Sequence, residues 1–320
     1  MNGKQSCWRL VRRQPFFSWL LLLLPCQRLG AQEVARGPDA AETRRLQVNI
    51  SAGYQQENFH WSIAGNSSGQ DPNVYSELKW QRISGPALRA ALHWNPYKKW
   101  QLFADGSRVF TTAGRVQDRD YGLDNRNDVL YDQRFDSHQG YGYSAAAAVG
   151  YRLVERPRWQ FTPFIGYGLD GQSLSILDPG GMVAFLNSRY TAKWKGLLVR
   201  TEASGQFGRR RSSLSRWYWE AFLTYHQADY SATADWNLIS QFAHPVSFRH
   251  TADGYGLDAE AALHYRIGRH IALRAGPGFF TWQTGTGIDA LYLSAGGTDK
   301  TRLNGVSRNG WTAEAGIILF

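Results

Sequence analysis

The feature that most constrains this chain is an alternation of apolar and polar residues along most of its length. The clearest segment is 257–267, where one set of alternate residues is apolar or aromatic throughout. The other set carries charges of both signs, in Asp258, Glu260, His264 and Arg266. The segments 46–54, 141–151 and 159–169 alternate in a similar way. A two-residue repeat is the signature of a β-strand, so the pattern predicts an all-β protein.

Such alternation fits a soluble sheet, whose apolar faces form a core, or a membrane barrel, whose apolar faces meet lipid. Two observations favour the barrel. Aromatic residues concentrate near predicted strand ends, as at membrane interfaces: Trp94, Tyr97, Trp100, Trp159, Trp217, Trp219 and Trp282. Four short connections alternate with five longer ones, near residues 62–73, 112–138, 171–188, 231–250 and 284–308. We therefore expect a transmembrane antiparallel up-and-down β-barrel of about ten strands, with long extracellular loops, over residues 46–320.

The first 31 residues have the features of an export signal. A basic start is followed by a short apolar run, Phe16 to Leu24, which is too short to span a bilayer as a helix. We expect residues 1–31 to be removed as a signal peptide, leaving 32–45 as a short N-terminal segment. Both cysteines, Cys7 and Cys26, lie in the signal, so disulfides and thiolate metal sites are not expected. No metal is expected elsewhere.

The high net charge does not indicate a nucleic-acid partner. The chain carries a formal charge of +10, but the signal holds five basic and no acidic residues, so the mature charge falls to +5. An export signal followed by a membrane barrel indicates the cell outer membrane as the location, with its lipid as a partner.

Several short segments, in order and with matching spacing, resemble the omptin family of ten-stranded outer-membrane proteases. They are Leu46–Gly53, Val74–Trp80, Val116–Tyr121 and Tyr190–Lys195, together with the strand pattern of the last third. The resemblance covers the chain from about Leu46 to Phe320. It implies an endopeptidase that holds a water molecule between a pair of aspartates and an Asp–His dyad, with no cofactor beyond a requirement for lipopolysaccharide.

Residue by residue, the resemblance assigns Asp118 and Asp120 to the aspartate pair. Two neighbouring carboxylates cannot both ionise freely, so one of them is expected to hold a proton. The Asp-x-His of the family falls on Asp235, Trp236 and Asn237, which keeps the aspartate and replaces the histidine. An amide has no proton-accepting nitrogen and cannot act as the general base that imidazole provides. The sequence leaves open whether His138, His244 or His250 supplies the missing base.

The expected binding residues are also only partly present. The family prefers basic substrates, and Glu57 is a candidate for one acidic residue of the substrate pocket, whereas the other position falls on Thr233. Lys193 and Lys195 occupy a segment that contacts lipopolysaccharide in the family, and their parity predicts outward side chains. A partner arginine of the fifth strand is replaced at or near Gln172.

Three functions follow as hypotheses. The first is an outer-membrane endopeptidase of omptin type, with impaired activity, acting on peptides or proteins with basic residues. The second is a catalytically inactive barrel of the same fold that acts as an adhesin or a lipopolysaccharide-bound scaffold. The third, a small porin, is disfavoured because inward charges such as Asp258 and Glu260 would fill a ten-stranded lumen.

Overall fold

The computed structural model describes residues 46–178, 180–207 and 216–320, and they form an antiparallel β-barrel. The predicted signal peptide and the segment 32–45 lie outside the described residues. The strands are β1 (Leu46–Ile63), β2 (Ser76–Tyr97), β3 (Trp100–Phe110), β4 (Ala113–Leu123), β5 (Asn127–Asp136), β6 (Gly140–Tyr151), β7 (Val154–Glu155), β8 (Trp159–Leu177), β9 (Asn187–Gln206), β10 (Trp217–Asp235), β11 (Phe248–Arg266), β12 (Ile271–Thr284), β13 (Gly287–Tyr292) and β14 (Thr298–Leu319). A single 3-10 turn, Asp124–Arg126, joins β4 to β5.

The wall has ten positions, because three of them are each built from two consecutive strands. β3 and β4 form one position, β5 and β6 the next, and β12 and β13 the ninth, while the two-residue β7 pairs only with β8. The first and last strands pair antiparallel from Val48–Leu319 to Ile63–Leu303, which closes the barrel. Closure leaves no free edge in the lower wall. The predicted fold class is confirmed.

The outer surface carries a band of exposed apolar side chains around the half of the barrel with the short turns. It includes Ile50, Leu92, Ile165, Leu197, Leu223, Leu263, Leu273 and Ile317. Trp94, Trp100, Trp159 and Trp217 are exposed at its lower margin, as predicted for an interface belt. The prediction that Trp282 belongs to this belt was wrong. Its side chain points inward, is buried, and donates a hydrogen bond to Asp258.

The interior of the band is filled by paired charges. Arg89 lies 2.6 Å from Asp105 and 2.8 Å from Glu260, and Glu220 lies 3.1 Å from His264. The space left among these side chains is about 130 Å³. That volume corresponds to a handful of water molecules and not to an aqueous channel. The charged residues of 258–266 therefore point inward, as predicted. Because their side chains fill the lumen, the structure argues against the porin hypothesis.

Above the charges, the interior is an aromatic core. Along β1 the inward side chains change from Gln55 and Glu57 to Phe59 and Trp61, and both aromatic residues are buried. They pack with other buried side chains that include Trp80, Tyr190, Trp194, Tyr230 and Phe248. The upper half of the barrel is therefore a packed core, and whatever it binds must bind at its rim or outer surface.

The long connections differ from the prediction because the strands extend into them. The segment 112–138, expected to be a loop, is mostly the hairpin of β4 and β5, and 284–308 contains β13 and the start of β14. These strands project beyond the apolar band and have polar residues on both faces. Without an apolar face they give no amphipathic alternation, which is why the sequence did not reveal them.

Among the described residues, no helix is long and apolar enough to cross a membrane.

Candidate functional site

The predicted aspartate pair lies on the inward face of β4, above the aromatic core. Val116, two residues before Asp118, is buried in that core, and alternation places Asp118 and Asp120 on the same face. Asp118 pairs across the sheet with Leu78 and Gln133, and Asp120 pairs with Ser76 and Tyr131. The two carboxylates thus share one small surface at the rim, as predicted from the sequence.

The environment of this pair favours protonation. Burial, together with the neighbouring charge of Asp120, raises the pKa of Asp118 from 3.8 to about 7. Burial also raises the pKa of Asp120, against a hydrogen bond from Ser76 that lowers it. One proton is therefore held on the pair near neutral pH. A carboxylic acid kept neutral at a rim is a candidate functional group, since its environment opposes its ordinary ionised state.

A buried carboxylate on the outward face of β2, near the far end of β4, holds β4 in place. Glu77 is 1% exposed and accepts hydrogen bonds from Lys79 at 2.7 Å, Tyr121 at 2.8 Å and Arg126 at 3.1 Å. His60 lies 3.2 Å away. Burial raises the pKa of Glu77, but the hydrogen bonds outweigh burial and leave this pKa well below its ordinary value. Glu77 lies in the segment Val74–Trp80, which resembles the family, but its role in holding β4 could not be predicted from that resemblance.

Replacing Glu77 by glutamine is expected to lower the free energy of unfolding by about 2 kcal/mol at pH 7, because charge-assisted hydrogen bonds are lost. Since the folded pKa is depressed, the stabilisation is present above the unfolded pKa of about 4.5 and is lost as pH falls below it. Urea unfolding in detergent micelles should therefore show the two proteins converging in acid. The exposed Asp299→Asn serves as a control and should change stability by less than about 0.5 kcal/mol. A pH-independent difference for Glu77→Gln would contradict the assignment.

The aspartate of the predicted dyad has a histidine partner. Nδ1 of His244 lies 2.6 Å from Oδ1 of Asp235, although His244 follows nine residues later in the β10–β11 loop. A carboxylate accepts the proton of Nδ1, which leaves Nε2 of a neutral imidazole as the acceptor expected of a general base. Of the three histidines left open by the sequence, the structure brings His244 to Asp235.

Strand alternation nevertheless directs Asp235 away from the aspartate pair. Ala232 and Ala234 are the buried, inward residues at the end of β10, and Asp235 pairs with the exposed Arg189 on the opposite face. The next inward residue, Trp236, packs on Phe248 with ring centroids 4.8 Å apart. The inward surface of β10 at the rim is therefore apolar, and Asp118 and Asp235 lie on opposite faces of the barrel wall.

Asn237 occupies the position where the family has histidine, and its side chain forms hydrogen bonds that connect two loops. Its side-chain carbonyl accepts hydrogen bonds from the Asn187 backbone and the Ser188 hydroxyl, both at 3.0 Å. Its amide donates to the Phe185 carbonyl at 2.8 Å. All three bonds fasten the start of β9 to the β10–β11 loop, so the side chain is engaged in structure.

The other two histidines lie elsewhere. His138 lies between β5 and β6. His250 is fully buried, and its Nδ1 is 2.8 Å from the Tyr190 hydroxyl, which in turn is 2.6 Å from the Tyr230 hydroxyl. Its Nε2 is 3.2 Å from Asp289 without hydrogen-bond alignment. This polar group stabilises the aromatic core, and its burial separates it from any substrate.

Glu57, the candidate substrate carboxylate, faces the interior of the barrel. It is 4% exposed and accepts two hydrogen bonds from Arg308, at 2.7 and 3.0 Å. Arg308 also contacts Asp170. The carboxylate is thus neutralised and withdrawn from solvent, so we leave it out of the candidate site.

Lys193 and Lys195 are exposed on the outward face of β9, in line with the apolar Leu197 and Val199. Both side chains therefore point outward, as predicted. Gln172 is buried, on a strand next to β9. Two ammonium groups just above an apolar band are placed where anionic lipid headgroups would lie.

Comparison with known proteins identifies the architecture. Residues 49–316 match the family described as Protochlamydia outer membrane protein. The outer membrane protease OmpT from Escherichia coli has a similar structure, with a TM-score of 0.69 and 12% sequence identity over 86% of this chain and 96% of OmpT. OprG from Pseudomonas aeruginosa, 14% identical over 85% of this chain and 94% of its own, gives a TM-score of 0.33. None of the curated proteins compared with the chain matches it in sequence.

At 12% identity the likeness to OmpT is one of fold. Together with the family match, it confirms the predicted location in the outer membrane.

Proposed function

We propose, from the premise that this chain belongs to the Protochlamydia outer membrane protein family, that it is an omptin-like surface barrel without omptin-type proteolysis. The observation that carries the proposal is the inward surface of β10. Where a dyad would have to face Asp118 and Asp120, that surface presents Ala234 and the core-packed Trp236. A water molecule at the aspartate pair would then have no imidazole on the far side of the cleft, and losing a general base typically costs 10²–10⁴ in rate.

In this proposal the barrel is a scaffold bound to lipopolysaccharide or other anionic lipid. A lumen largely filled by paired charged side chains favours a surface role over transport, and Lys193 and Lys195 are the residues we propose for headgroup contact. Lysine binds phosphate as a point charge and does not form the bidentate contact of arginine.

The second candidate is an endopeptidase with a rebuilt dyad, and the 2.6 Å contact between Asp235 and His244 favours it. In that case His244 would activate water and Asp235 would orient the imidazole, at a site on the outward face that does not include Asp118 and Asp120. The substrate would be a peptide with basic residues.

Two variants separate the candidates. We expect Asn237→His to give no cleavage of a dibasic fluorogenic peptide, because the side chain at 237 points into a loop junction and the variant only loses three hydrogen bonds. We expect His244→Ala to leave the background signal unchanged. A tenfold loss of cleavage in His244→Ala would support the endopeptidase and contradict the scaffold. Strong cleavage by Asn237→His would instead contradict the placement of residue 237 in a loop junction, away from the aspartate pair.

A further inference from the structure

The strand β5 has a free edge. It pairs with β4 along its length, from Asn127–Leu123 to Asp136–Arg115, but its pairing with β8 is limited to Asp136–Leu177. The hairpin of β4 and β5 therefore separates from the wall above Asp136. The residues 127–134 are all exposed, which shows that this part of β5 is covered on neither face.

A strand with one partner leaves alternate N–H and C=O groups pointing to its open side. Most proteins keep such edges short or cover them. In this protein the free edge extends from about Asn127 to Phe135, with a register shift at Leu130, and its regular part is Tyr131–Phe135. It includes exposed apolar residues, with Val129 56% and Leu130 62% exposed. A long, exposed edge with apolar side chains is the form of surface to which extended peptides add as an extra strand.

The charge of the hairpin indicates which peptide would fit. The segment 113–136 contains six aspartates and four arginines, a net charge of −2 in a mature chain of +5. On its outward face Arg119 and Asp132 neutralise each other at 2.9 Å. On the inward face, Asp118 and Asp120 stand beside Gln133 and Tyr131 of β5 without a cation from the hairpin at those pairing positions. The two aspartates, which share one proton near neutral pH, therefore give a negative charge to the inward face one strand in from the free edge.

We propose that the open edge of β5 binds an extended, basic peptide segment of another protein by β-strand addition, with its lysine or arginine side chains over Asp118 and Asp120. The backbone of β5 supplies the hydrogen bonds, which fix the peptide in register. The aspartates supply the preference for basic residues. This binding needs no hydrolysis, and it gives the rim aspartates a role as specificity residues.

The test uses the refolded full-length mature protein in detergent micelles and a fluorescein-labelled decapeptide of alternating lysine and threonine. A second peptide with the same sequence carries N-methyl groups on alternate backbone amides along one edge, and a third carries them along the other. Methylation keeps the charge but removes the hydrogen bonds of that edge. We expect saturable binding of the first peptide, and at least tenfold weaker binding of one of the methylated peptides.

Two further readouts locate the site. Bound peptide should slow hydrogen exchange of backbone amides in 127–135 and leave the amides of β13 unchanged. Asp118→Asn combined with Asp120→Asn should weaken binding about tenfold, whereas the exposed Asp299→Asn should change it by less than twofold. Equal binding of all three peptides, or protection confined to residues outside β5, would overturn the proposal even if the double variant binds weakly.

Discussion

Replacing Arg308 by alanine is expected to lower the free energy of unfolding by about 3–5 kcal/mol, because it leaves the buried Glu57 and the partly buried Asp170 without their cation. The guanidinium of Arg308 donates to Glu57 and Asp170 and lies over the Phe280 ring, 4.9 Å from its centroid. Removing it leaves the Glu57 carboxylate buried without its cation, so the desolvation of that charge is uncompensated. Urea unfolding of the refolded barrel in micelles, followed by tryptophan fluorescence, measures the change.

Two further variants serve as controls for this experiment: one removes an exposed arginine, and the other removes a carboxylate that Arg308 neutralises. The exposed Arg249→Ala should change stability by no more than about 0.5 kcal/mol. Adding Glu57→Gln to Arg308→Ala should recover part of the loss, since one uncompensated charge is removed. A loss below about 1 kcal/mol for Arg308→Ala would show that water enters the lumen and hydrates the interior charges.

Asp118→Asn is expected to stabilise the protein by about 2 kcal/mol at pH 8 and by less than half of that at pH 5. Folded Asp118 keeps its proton up to about pH 7, whereas the unfolded group loses it near pH 3.8. Between these values the folded state binds more protons, so this residue makes stability fall as pH rises. Asparagine has no charge to bury and removes that dependence.

Unfolding curves at pH 5 and pH 8 measure this prediction, with the exposed Asp299→Asn as a control that should show no pH-dependent change. A stabilising mutation at Asp118 would mean that the acid is retained for function and not for the fold, since natural functional sites commonly cost stability. Equal effects at both pH values would show that the carboxyl ionises normally.

The wall of the barrel could be predicted from the sequence because lipid outside and packed side chains inside impose the same two-residue period. Residues 257–267 illustrate this, with Leu257 and Leu263 outward and Asp258 inward. The direction of a single aromatic residue was harder to predict. Trp282 was assigned to an interface belt by its residue type, while its inward parity with Gly278 and Phe280 places it in the core.

The candidate site could be predicted only in part. Asp118 and Asp120 follow Val116 in one strand, so local alternation was sufficient to place them together. The pairing of Asp235 with His244 depends on the path of a loop, and no spacing rule indicates a partner nine residues away. The free edge of β5 depends on where two strands separate, which is a property of the whole barrel and not of any local segment.

The most direct test of the central claim is the rate at which the wild-type protein, refolded with lipopolysaccharide, cleaves a dibasic fluorogenic peptide relative to Asp118→Ala. We expect the two rates to be equal within error and close to that of the peptide in buffer, because the face opposite the aspartate pair is apolar. Sustained turnover by the wild type that Asp118→Ala abolishes would contradict the account and establish the endopeptidase.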